Sequence, residues 1–155
     1  MTSSSKRESR HAGDPHMDRI EEELRHGNYL RGDERRLQRI IDDDKAEVTR
    51  LGMDLHEITD KMQRLFQEGR KGLGDPVVVD EAYEVTVLEY RGIIPSPWMD
   101  HYAAPKIVVE ASNLKTGQKL RFSLLSLHLI RNYGFFQGKG SPFRIEPRDL
   151  YAFFQ

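Results

Sequence analysis

The stretch GFFQGKGSPFRIEP, residues 134–147, sets three glycines beside Lys139 and Ser141. Phosphate-binding loops are made from these residue types. A Walker loop needs G-x-x-x-x-G-K-[ST] between a strand and a helix. Here Gly134 and Gly138 are one residue too close, and Gly140 stands where the hydroxyl ligand of Mg²⁺ belongs. The loop is also expected to lead from a helix into a strand, so no helix N-terminus faces an anion. The spacing fits a turn, with Gly134 ending a helix, Phe135 and Phe136 returning to the core, and Lys139 in water. A nest of glycine N–H groups that takes an anion or an acidic side chain is the remaining chemical reading.

The second stretch with chemical content is PSPWMDHY, residues 95–102. Trp98, His101 and Tyr102 are large amphipathic groups in a proline-stiffened loop, a composition favoured where partners bind. The loop also suits a cap over the core. Asp100 beside His101 permits acid–base chemistry, but Ser96 lies between two prolines rather than in a nucleophile elbow. An enzyme would need a pocket that draws Asp100, His101 and His128 together.

The six histidines, at 11, 16, 26, 56, 101 and 128, show no H-x-H or H-x-x-x-H spacing, so no metal site is assigned. The absence of cysteine excludes disulfides, zinc–thiolate sites and thiol catalysis. No cofactor motif is present. No apolar run nears the ~18 residues of a membrane span, and the first 15 residues lack the apolar core of a secretory signal. A cytoplasmic location is the expectation.

These groups must be positioned by a chain that is polar for a folded domain, with 37 % hydrophobic and 32 % charged residues. A long solvated helical part accounts for that balance. Residues 1–14 read as a disordered tail. Asp14 and Pro15 then start a short helix that Gly27 stops. From Asp33, a candidate N-cap, Leu37, Ile41, Val48, Leu51, Leu55, Ile58, Met62 and Leu65 recur at steps that fit a heptad, with Asp44 as an unpaired charge in the seam. Gly52 weakens the pattern. The expectation is one long helix or helical hairpin over 15–71, coiled-coil-like. Ile41, Val48, Leu51, Leu55, Ile58, Met62 and Leu65 would pair with a second copy. The alternative is that this stripe lies on the chain's own sheet.

After a linker at 72–76 the period changes to that of strands, and residues 77–155 are expected to form a compact α+β domain with a small, mostly antiparallel sheet and one or two packed helices. Residues 106–123 read as a hairpin that sets Glu110 opposite Arg121, with Gly117 in the turn. Residues 123–134 read as a helix between Ser123 and Gly134, PFRIEP as a short strand, and the C-terminus as a helical turn.

Net charge is −1, from 24 basic and 25 acidic residues, so no global excess points to nucleic acid. Locally, residues 105–149 carry eight bases against three acids. The expected function is a non-enzymatic protein–protein interaction module whose partner contacts are Trp98, His101, Tyr102, Lys139 and Arg144. The alternative is a nucleic-acid-associated regulator using a basic face over 115–148, with Phe135, Phe136 and Phe143 stacking on bases.

Overall fold

The computed structural model describes residues 14–155. The tail expected over 1–14 lies outside these residues, except for Asp14. That residue caps α1 (Pro15–His26) by accepting from the His16 and Met17 N–H groups at 3.0 and 3.3 Å. Two further helices follow, α2 (Leu37–Arg50) and α3 (Leu55–Gly69), then a 3-10 turn at Arg70–Gly72. The four strands are β1 (Val77–Val79), β2 (Tyr83–Pro95), β3 (Ala103–Asn113) and β4 (Lys119–Ser123). They form one antiparallel sheet in the order β1-β2-β3-β4. Helices α4 (Leu124–Tyr133) and α5 (Pro147–Phe153) complete an α+β fold.

The long helix expected over 33–70 is not formed. It is divided at Gly52, which adopts φ +66, and Asp54 starts α3 afresh by accepting from the His56 and Glu57 N–H groups. Asp33 does not cap α2. Arg36 occupies that position, and Glu21 of α1 reaches across to accept from the Leu37 N–H at 3.0 Å. The stripe is packed within the chain. Val48, Ile58, Met62 and Leu65 are buried against the sheet, Leu51 and Leu55 flank them, and Ile41 lies against a second cluster.

The hairpin takes the expected register. Val109 pairs with Phe122, Ala111 with Leu120, and Glu110 with Arg121, whose side chains approach to 3.4 Å. This buries one face, where Val85, Val87, Val109 and Phe122 meet α3 and α5. The second cluster joins Ile20 and Leu24 of α1 and Leu37 and Ile40 of α2 to Trp98, Phe135 and the Leu125–Leu129 face of α4. Both clusters draw on residues from each side of the 72–76 junction. The segment PFRIEP is not a strand; a turn at Pro142–Phe143 leads through irregular chain to α5. Among the described residues no helix is long and apolar enough to cross a membrane.

Nothing lies within 4 Å of a Cβ placed on Gly52, so a Gly52→Ala change acts through φ alone. It is expected to lower stability by about 1–2 kcal/mol, the cost of a left-handed alanine. In a continuous helix the same change would raise stability by about 1 kcal/mol. Urea denaturation reads the sign.

Candidate functional site

The glycine stretch closes on an acidic side chain. Lys139 donates its backbone N–H to Asp33 Oδ2 at 3.0 Å, and Gly138 donates its own to the Tyr29 carbonyl at 2.8 Å. A Cβ on Gly138 would fall 2.6 Å from the Leu30 carbonyl oxygen, so only glycine lets the two loops meet. Arg35 holds Asp33 from the other side at 2.6 and 2.9 Å, and its hydrogen bonds keep the Asp33 carboxyl far below the usual range. The anion in this nest is therefore a carboxylate of the chain itself, and the Lys139 side chain points to solvent.

Arg144 is the second tie. It donates Nη1 to Asp44 Oδ2 and to the Gln137 carbonyl, Nη2 to Asp44 Oδ1 and Glu146 Oε1, and Nε to Glu146 Oε2. All five of its N–H donors are used. The Arg144 and Asp44 side chains are 7 % and 8 % exposed. Asp44, expected as an unpaired charge in a seam, is thus paired within the chain.

The 95–102 loop is built over Trp98, which is 7 % exposed and stacks on Tyr133 with ring centroids 4.4 Å apart. Tyr102 stacks on His128 at 3.8 Å, and His101 is exposed with φ 66. The structure brings Asp100 and His128 together but leaves His101 outside. Asp100 Oδ2 accepts from His128 Nε2 at 2.8 Å and from the Tyr133 hydroxyl. Burial works to raise the Asp100 carboxyl. Hydrogen bonds from Tyr133, His128 and the Tyr102 N–H outweigh it and hold the group well below the usual carboxylate range. The Tyr133 phenol is pushed up to about 12 by burial and by its bond to Asp100. With Nε2–H on Asp100, the His128 Nδ1 atom accepts from Asn132 Nδ2 at 3.1 Å. A catalytic histidine keeps that nitrogen for a nucleophile or substrate; here Nε2 braces the loop through Asp100 and Nδ1 is engaged by Asn132 of the same helix.

Three of the cations of 115–148 are engaged within the chain. Arg131 pairs with Asp60, Arg144 is enclosed, and Arg121 packs 4.5 Å above the Phe143 ring. Phe135 and Phe136 are fully buried.

Two clefts among the described residues have room for a ligand, one of about 590 Å³ between α1 and the start of α2, lined by Met17, Glu21, Arg36 and Leu37 among others, and one at the β2 bulge. In β2, Glu89 pairs with Ile107 and Ile93 with Pro105, so Tyr90, Arg91 and Gly92 bulge out opposite Lys106. The bulge and the 137–143 segment form the two sides of a cleft of about 520 Å³. Its floor is Val108, Ser123 and Leu125, its walls include Tyr29, Tyr90 and Phe143, and the charged residues lining it are Lys106 and Arg121. Tyr90 is 54 % exposed, and Ile93 beside it 70 %. Of these, the sequence reading had placed Phe143 and Arg121 on a nucleic-acid face. Lys106 is one of the eight bases counted over 105–149, whereas Tyr90 and Gln137 are not singled out. A glycine inside a strand run, Gly92, is the signal for the bulge; no local pattern marks Gln137. Among the described residues no group of three or more His, Asp or Glu side chains is placed to hold a metal ion.

No family model, curated protein or solved structure matches the chain.

Replacing Arg144 by Met is expected to cost about 3–5 kcal/mol, because it strands Asp44 as a buried charge; adding Asp44→Leu should recover most of the loss in urea titrations. For Asp100, the depressed carboxyl contributes stability that is full above the ordinary value of 3.8 and is lost as pH falls towards the folded-state value. The stability gap between wild type and Asp100→Asn should therefore stay constant from neutral pH down to about pH 5 and shrink below about pH 4, as read by urea titrations across that range.

Proposed function

We propose that the protein is a non-enzymatic interaction module that holds a protein partner in the cleft between the β2 bulge and the 137–143 segment. The observation that carries this reading is the cleft itself. Its volume of about 520 Å³ falls within the range of ligand sites, and aromatic side chains line it at Tyr29, Tyr90 and Phe143. Aromatic walls in a concave, partly desolvated site are where binding free energy concentrates. The reading shares its class with the expectation from sequence and keeps part of the 134–143 stretch in the contact, but moves the rest from the 95–102 loop to the β2 bulge. Trp98 supports the fold from beneath, Arg144 is enclosed, and the continuous helix that a coiled coil requires is broken at Gly52. The non-enzymatic part rests on His128, whose two ring nitrogens already have partners.

A photo-crosslinking amino acid in place of Tyr90, in full-length protein expressed in its own cells, tests the proposal. The control carries the same group at Leu114, an exposed position in the β3–β4 turn. Adducts that survive nuclease, vanish with protease and form at position 90 only are expected. Equal adducts at both positions, or a nuclease-sensitive adduct at 90, would overturn the reading.

A further inference from the structure

We infer that the occupant of the cleft is a short acidic peptide segment. One of its carboxylates lies between Lys106 and Arg121, and one of its backbone carbonyls accepts from Gln137 Nε2. This rests on the cleft being the partner-binding face, and it specifies the chemistry that the face selects.

Gln137 is the key residue. It is 4 % exposed and is held in a left-handed conformation, φ 72, that a side chain other than glycine or asparagine rarely adopts. Its Oε1 atom accepts from the Ser141 hydroxyl. Its Nε2 group has no acceptor among the described residues. No side-chain polar atom there is both buried and unpartnered, so Nε2 is not fully enclosed, and Gln137 lines the cleft. A nearly buried amide with its acceptor side satisfied and its donor side free asks for a carbonyl or carboxylate.

The charges agree with that request. Lys106 lines the cleft and makes no ion pair among the described residues. Arg121 is held by Glu110 at 3.4 Å, which leaves its Nη groups uncommitted. No carboxylate lines the cleft. Its volume suits a drug-sized ligand, hence a few residues of peptide rather than a folded surface. A nucleic-acid strand fits less well. Strand binding draws on a run of cations and on free aromatic faces. The cleft supplies two cations, and the Arg121 guanidinium already covers one face of Phe143.

The test is selection from a random-decapeptide display library on the full-length protein, followed by fluorescence titration of the selected peptides and of a twelve-residue oligothymidine. Enrichment of Asp and Glu over the input library is expected. Both charge reversals together, Lys106→Glu and Arg121→Glu, should weaken the selected peptides by roughly tenfold or more and turn fresh selection towards basic sequences. Gln137→Leu should weaken binding without changing the charge preference, and circular dichroism checks that this variant folds. Selection of neutral or basic peptides, selection of none, or oligothymidine displacing the peptides would overturn the assignment of an acidic segment. Acidic peptides that bind but ignore the charge reversals would instead overturn the cleft as the binding face.

Discussion

A buried guanidinium with every donor occupied constrains the rest of this structure. Arg144 lies one hundred positions from Asp44, and their pairing joins α2 to the segment that precedes α5. Burying an arginine is tolerable only where carboxylates and carbonyls meet all its N–H groups. Asp44, Glu146 and the Gln137 carbonyl must therefore converge, and the chain between Gln137 and Arg144 has to turn sharply to let them. Gly138 and Gly140 are the residues that permit the turn at close quarters with Leu30 and Arg31. Asp33 then ties the far side of the same loop through the Lys139 N–H. Once both ties are made, the main chain of Gln137 is fixed, and its side chain is delivered to the cleft.

The parts of the fold that were legible from sequence are those whose causes lie a few residues apart. The hairpin register follows from alternation, one charge pair and a turn glycine, all within residues 106–123. The caps at Asp14, and at Ser123 with Gly134, are equally local. The helix break was misread for a specific reason. Leu51 and Leu55 keep a step of four across Gly52 because the C-terminal end of α2, at Val48 and Leu51, packs in the same cluster as α3. Side-chain periodicity thus continued while the backbone did not. Gly52 followed by Asp54, a stop and then a cap, carried the correct signal locally. Asp44 looked like a defect because its partner is far away in sequence. Trp98 looked like a contact residue because loop composition does not reveal depth; its ring is covered by Tyr133 and Phe135, which arrive from beyond β4.

The candidate site was less legible than the fold. Tyr90, Lys106 and Gln137 belong to three separate segments, and what unites them is the meeting of the bulge with the 137–143 turn. The Arg144 and Asp33 ties account for the turn but not for the bulge. The bulge interrupts the β2–β3 pairing between Glu89 and Ile93 and leaves Tyr90 and Ile93 exposed to water. Gln137 likewise occupies a backbone region where glycine would carry less strain. The two departures face each other across a lining that holds Lys106 and Arg121 and no carboxylate, and the proposed acidic-segment site rests on that arrangement.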